Sequence, residues 1–205
     1  STGGGYQNID TLREQLANRS LRRTKSDALE LPSKSYTRIG VELAPRQRAM
    51  YDQLRQELEL WVRSLSGADV LEKADAILAR MVRLAQLASN PALLDAAYNE
   101  TPAKLVALDE LLETYLAEAD RKVIVWTSFV DNITTLASRY PRWNPVTIYG
   151  EMDNEARDRA VRAFKGDPST RLLIANPAAA REGLTLTEAN VAIYLDRTFN
   201  LVDYL

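Results

Sequence analysis

The chain has 205 residues, 46% of them hydrophobic, which is enough to bury the core of one sizeable α/β domain plus a smaller helical appendage. Its formal net charge of −2 gives no global electrostatic sign of nucleic-acid binding, so any such contact has to come from local clusters. It contains no cysteine and no histidine, which removes disulfides, thiolate metal sites and the commonest metal ligand and general base, and with them a zinc enzyme or a serine-histidine hydrolase.

Ser1-Thr2-Gly3-Gly4-Gly5 lacks the charged and apolar regions of a signal peptide and reads as a flexible linker. The longest apolar stretches, such as Val123 to Trp126 and Val191 to Leu195, fall far short of the roughly 20 residues of a membrane span. The chain is expected to be intracellular rather than secreted, with no membrane partner. Ile9, Leu12 and Leu16 step by three and four, which predicts a short helix, and the basic run Arg19, Arg22, Arg23 and Lys25 follows. Tyr36 to Leu43 alternates polar and apolar residues, the pattern of a half-buried strand. After Ala44-Pro45, a long helix is predicted through Tyr51, Leu54, Leu58, Trp61 and Leu65 to a break at Ser66-Gly67. A second helix carries Val70, Ala74, Ile77, Met81 and Leu84 to Asn90-Pro91, and the two form a helical hairpin. Trp61 and Met81 have core spacing and receive no ligand role.

Thr101-Pro102 supplies a cap and a first-turn proline for a helix with Leu105, Leu108, Leu112 and Tyr115. From there short apolar runs alternate with helices: Val123 to Trp126, a helix capped by Asp131, Val146 to Ile148, a helix capped by Asp153, Leu172 to Ile174, and Val191 to Leu195. Continuous apolar strands in a βαβ series predict a parallel sheet buried on both faces. Ligands of such sheets lie at the carboxyl ends of the strands, so the loops after Trp126, Ile148, Ile174 and Leu195 are the ones to inspect.

None of the eight glycines precedes a lysine, so there is no phosphate-binding loop of the Walker A kind. Asp109-Glu110 lies in the middle of an amphipathic helix, where a solvated face is expected rather than a metal pair. Thr127-Ser128-Phe129 brings two hydroxyls and a helix N-terminus to a strand end, which suits either phosphate contact or a simple cap. The loop Asn176 to Thr187 combines small residues with Arg181 and Glu182, which lets a ligand or another backbone approach closely beside two charges. Pure structural punctuation would not need that arrangement.

Several segments in order carry a family resemblance. Leu21-Arg22-Arg23-Thr24-Lys25, Leu31-Pro32-Ser33-Lys34, Leu43-Ala44-Pro45-Arg46-Gln47 with Tyr51, and Ser89-Asn90-Pro91 resemble the segment linking the two motor lobes of Swi/Snf-type, superfamily-two translocases. Val123 to Phe129 is similar to motif IV, and Tyr149-Gly150 with Arg157 and Phe164 resembles the block that follows it. Asn176 to Thr187 resembles motif V, and Tyr194 to Arg197 with Phe199-Asn200 the approach to motif VI. The resemblance covers about residues 6 to 205. It implies an α/β fold, a RecA-like parallel sheet with flanking helices, preceded by a helical-hairpin insertion. The implied division is an interlobe segment over 1–35, strand plus protrusion over 36–100, and the second RecA-like lobe over 101–205.

What the resemblance implies for function is half of an ATP cleft and half of a track for double-stranded DNA, with the N-terminal RecA-like lobe of the same protein as partner. ATP and magnesium would be held mainly by that first lobe, with no cofactor and no catalytic residue in these 205 residues. By the same carry-over, Thr127, Ser128, Gly150, Arg157 and Asn176 belong to the DNA side, and Arg181, Glu182 and Gly183 to the nucleotide side. Arg22, Arg23 and Lys25 would pair with the first lobe, bind phosphate or form a solvated face. Arg181 stands where relatives often carry glycine and would either contact phosphate or reshape its loop. The glutamine and paired arginines of motif VI would follow Tyr204-Leu205. The alternatives are a non-catalytic binding module for DNA or protein, and an RNA helicase lobe, against which the Leu-Arg-Arg-Thr-Lys and Leu-Pro-Ser-Lys segments argue.

Overall fold

The computed structural model describes residues 8–17, 20, 35–180 and 186–197. The chain divides into two compact units, Ser1–Ile39 and Gly40–Leu205. In the first, helix α1 (Ile9–Ala17) forms where the apolar spacing predicts it.

The second unit begins with α2 (Pro45–Arg63), followed by the short α3 (Gly67–Glu72) and α4 (Ala74–Ser89). The predicted second helix is therefore broken at Lys73. Ser66 starts α3 through a capping box: its hydroxyl accepts the Asp69 N–H, and the Asp69 carboxylate accepts the Ser66 N–H. The two long helices run antiparallel. Near one end the Arg80 guanidinium stacks 4.0 Å from the Trp61 ring centre. At the other, Gln47 at the start of α2 donates to the Leu87 carbonyl at the end of α4 (2.8 Å). Trp61 and Met81 were expected in a core and are only half-buried, because two helices alone leave one side of each without a covering layer.

Two further expectations change. Tyr36 to Leu43 is not a strand: residues 35–44 carry no regular structure, with Tyr36 82% and Ile39 53% exposed. Alternation marks a face, but a strand also needs a neighbour's ladder for its backbone groups, and this segment, which spans the boundary between the units, has none among the described residues. Thr101 does not cap α5 (Ala103–Tyr115). Pro102 is held extended at ψ 141, so the helix starts one residue later, and the wholly buried Gln47 side chain accepts the Ala103 N–H instead (3.1 Å).

The lobe proper follows as β1 (Val123–Trp126), α6 (Val130–Arg139), β2 (Val146–Ile148), α7 (Asn154–Gly166), β3 (Leu172–Ala175) and β4 (Val191–Tyr194). Among the described residues these strands form one parallel sheet in the order β2-β3-β1-β4. One face buries Val123, Val125, Leu172 and Ile174 against Leu105, Leu108 and Leu112 of α5 and Ile133 and Leu136 of α6. The other buries Ile124, Ile148, Leu173 and Ala175 against Ala160 and Phe164 of α7. Burial on both faces is what makes β1 and β3 continuous apolar runs. Strand β4 departs from that expectation: it alternates half-buried and exposed residues, since among the described residues it lies at the sheet edge and one of its faces is uncovered.

Asp153 caps α7 as expected, accepting the Ala156 N–H at 2.7 Å. Asp131 was expected to cap α6 but sits in its first turn, exposed, with Phe129 at the cap position. At the amino ends of the strands, Lys122 donates its ammonium to the Phe164 and Asp167 carbonyls at the end of α7, where the helix dipole favours a cation. Arg171 donates to the carbonyls of Leu116, Glu118 and Arg121.

Asp109, expected on a solvated face, instead joins α5 to the end of α6. Its oxygens accept from Arg139 Nε (2.9 Å) and from the Tyr140 hydroxyl (2.8 Å). Partial burial would raise its pKa, but these bonds and the Arg139 charge outweigh that and hold the carboxyl below the ordinary 3.8. A depressed carboxylate stabilises the fold above its unfolded value and loses that contribution as pH falls through the folded one. The stability gap between wild type and Asp109→Asn should therefore be constant above about pH 4 and shrink below it, as urea unfolding across acidic pH would measure.

Candidate functional site

The register sets the site. Trp126 pairs with both Ala175 and Tyr194, and Ile148 pairs with Ala175, so the four strands end level with one another. The ladder runs one residue further, with Thr127 N–H bonded to Ala175 O (3.0 Å), Asn176 N–H to Ile148 O (2.9 Å) and Leu195 N–H to Trp126 O (2.9 Å). The carboxyl edge thus presents, in spatial order, the turn at Gly150 after β2, Asn176 after β3, Thr127-Ser128 after β1 and Asp196 after β4.

Asp196 is the centre of this edge. It is 5% exposed. Its Oδ1 accepts the Ser128 N–H at 2.6 Å, and its Oδ2 accepts the hydroxyls of Thr127 (2.7 Å) and Ser89 (2.9 Å). Asn132 on α6 donates to Ser89 Oγ (3.0 Å) and accepts from Asn90 Nδ2 (3.0 Å). Lys104 donates to the Leu195 carbonyl (2.9 Å); burial pushes its ammonium below its ordinary pKa, while the nearby Asp196 charge opposes that shift. A buried carboxylate of this kind is tolerated because several donors satisfy it together.

This geometry places the expected site residues unequally. Thr127 is wholly buried with its hydroxyl on Asp196, so it shapes the loop and does not offer that hydroxyl to a phosphate. Asn176 spends its amide inside the chain, donating to the Ser128 carbonyl (3.0 Å) and accepting the Ala178 N–H (2.9 Å). The Ser128 hydroxyl is different: it is shielded from solvent and has no hydrogen-bond partner. The half-buried Arg157 on α7 likewise has a shielded Nε without a partner. Gly150 is exposed, and a Cβ built on it would meet nothing within 4 Å, so the chain's own packing does not require glycine there. Arg22, Arg23, Lys25, Arg181, Glu182 and Gly183 lie outside the described residues. Among the described residues no group of acidic side chains could hold a metal ion.

Asp196, Asn132, Ser89 and Gln47 carry structural work that residue-by-residue reading did not assign. One signal was available: Asn132 is four residues from Leu136 and next to Ile133, so a polar residue stands on the buried face of α6.

The chain matches the family model of the helicase conserved C-terminal domain over residues 103–205. A Bacillus subtilis protein, YwqA, whose name assigns it as an ATP-dependent helicase/translocase, is 30% identical over 190 residues, covering 88% of this chain and 20% of its own length. The chain thus spans about a fifth of the length of the curated relatives it matches. The C-terminal domain of the Sulfolobus solfataricus SWI2/SNF2 ATPase superposes with a TM-score of 0.66 at 28% identity, over 77% of this chain and 70% of that one. The core of the Sulfolobus solfataricus SWI2/SNF2 ATPase in complex with double-stranded DNA gives 0.71 at 28% identity, over 95% of this chain and 42% of that one.

Proposed function

Because the chain belongs to the helicase conserved C-terminal domain family, as a second lobe of SWI2/SNF2 type, we propose that it supplies half of the DNA track and half of the ATP cleft of a motor that moves along double-stranded DNA. The observation that carries the proposal is the carboxyl edge of the sheet. A buried hydroxyl without a partner costs about 1–3 kcal/mol; Ser128 bears that cost in the free lobe, and a phosphate oxygen reached on binding would relieve it. Arg157 brings from α7 a guanidinium whose shielded Nε has no partner, a group whose fork suits phosphate. Gly150 leaves open space where a sugar-phosphate backbone can come close.

The first lobe of the full-length protein would hold ATP and magnesium, with Arg181, Glu182 and Gly183 closing on the nucleotide and Arg22, Arg23 and Lys25 meeting that lobe or phosphate. Such a motor works where the cell keeps its duplex DNA, in a nucleoid or a nucleus. The test is ATP turnover by the full-length protein with duplex DNA, single-stranded DNA and duplex RNA. Stimulation by duplex DNA supports the reading, and its absence overturns it. DNA affinity should also fall steeply with added salt, as phosphate contacts require.

Two substitutions separate ligand contact from folding. Ser128→Ala removes a hydroxyl whose burial without a partner burdens the free lobe, so its melting temperature should rise above wild type while duplex affinity drops roughly tenfold, the worth of one charge-assisted hydrogen bond. Gly150→Ala adds a methyl into open space, so it too should fold normally and weaken DNA binding by about 1–3 kcal/mol if a backbone packs there. Calorimetry paired with fluorescence anisotropy on labelled duplex measures both.

A further inference from the structure

The peptide of Ser128 is gripped at both of its polar atoms by side chains from two other strand exits. Its N–H is held by Asp196 after β4 at 2.6 Å, and its carbonyl by Asn176 after β3 at 3.0 Å. The hydroxyl between these two grips is the one polar group of the residue left without a partner. Asp196 makes its own grip at some cost. It is only 5% exposed. Its charge is carried by neutral donors, with Lys104 acting from a greater distance. Apolar residues would end a strand at lower cost, since a buried charge away from a counter-ion carries a large desolvation penalty.

The two carboxylate oxygens are also divided in use. Oδ1 takes the Ser128 N–H, and Oδ2 takes the hydroxyls of Thr127 and of Ser89 at the end of the helical hairpin. Each oxygen faces donors, so an amide in its place would turn an NH2 group against one of the two sets.

We infer that Asp196 and Asn176 are positioning residues that fix the orientation of the Ser128 hydroxyl and make it follow the exits of β4 and β3. This rests on the reading that Ser128 meets the DNA backbone. It goes further in assigning the aim of that contact to two side chains that do not themselves touch DNA. A shift of the β4 exit carries the Ser128 peptide with it through a single short hydrogen bond, and the end of the helical hairpin through Ser89.

A double-mutant cycle on the full-length protein tests this. Asp196→Asn keeps the shape of the side chain, and Asn176→Asp keeps the acceptor for Ala178 while losing the donor to Ser128. Each is measured alone and in a Ser128→Ala background by anisotropy on labelled duplex DNA, with the KM for ATP determined in parallel. The expected result is a roughly tenfold loss of duplex affinity in the Ser128 background and less than about twofold further loss in the Ser128→Ala background, because a residue acting through Ser128 has nothing left to position. The KM for ATP should stay within about twofold of wild type. Hydrogen exchange of the peptide over residues 125–133 should rise in Asp196→Asn as the Ser128 amide is released. Equal losses in both backgrounds, or a KM that rises alongside, overturn the positioning role and leave the DNA reading intact. A wild-type protein that does not bind duplex DNA overturns both. Should Asp196→Asn fail to fold, Asn176→Asp alone completes the cycle.

Discussion

Replacing Phe164 by alanine should cost about 3–5 kcal/mol of folding stability, the range found when a buried aromatic side chain is emptied from a packed core. Phe164 is wholly buried. It is the main side chain that α7 sets against Ile124, Ile148, Leu173 and Ala175, and no other described helix packs enough bulk there to collapse into the gap. Its ring also lies 5.3 Å from the Lys122 ammonium, which bonds the Phe164 carbonyl, so the loss extends to the fastening of the strands' amino ends. Against a typical total of about 5–15 kcal/mol, this leaves little margin. Guanidinium unfolding followed by circular dichroism measures it. A loss under about 1 kcal/mol, as for a surface substitution, would mean that this face of the sheet is not packed as described.

The second large effect is expected at Gln47, which is as fully buried as Phe164 but polar. Gln47→Leu preserves volume and removes the side chain's hydrogen bonds, leaving the Leu87 carbonyl and the Ala103 N–H unpaired. At about 1–3 kcal/mol for each stranded group, the expected loss is about 2–6 kcal/mol. The damage should be local in character. Amide exchange should accelerate at the start of α5 and the end of α4, where the side chain joins three helices, and less in β1 and β3, whose core residues do not touch it.

These two residues also mark how far the sequence could be read. Phe164 announces itself, because it falls on the apolar stripe of a helix that stands between two strands, and a parallel sheet follows once the runs at Val123, Val146, Leu172 and Val191 are seen as strands. Local patterns succeed where the answer depends on neighbours along the chain. They fail where it depends on a distant partner. Tyr36 to Leu43 has a strand's alternation and no strand to pair with. Thr101 has a cap's chemistry, but Gln47, 56 residues before Ala103, takes the position. The carboxyl edge follows from the rule that parallel sheets bind there, Ser128 from its hydroxyl at a strand end, and Gly150, Arg157 and Asn176 from the family resemblance. That Thr127 and Asn176 turn inward could not be read, because Asp196 lies 69 residues from Thr127 and Ser128 lies 48 from Asn176, and no short-range pattern encodes such a meeting.

The two ends of the sheet are fastened in different ways. Where the strands begin, Lys122 and Arg171 fasten helix ends and loops with charged donors on backbone carbonyls, bonds that make no use of any ligand. Where the strands finish, the fastening is a set of hydroxyls and amides around one acid, with a hydroxyl left over. A substitution among the carboxyl-edge hydroxyls and amides therefore leaves the charged fastening at the amino ends of the strands untouched, so the edge can vary its contacts while the sheet keeps its anchorage.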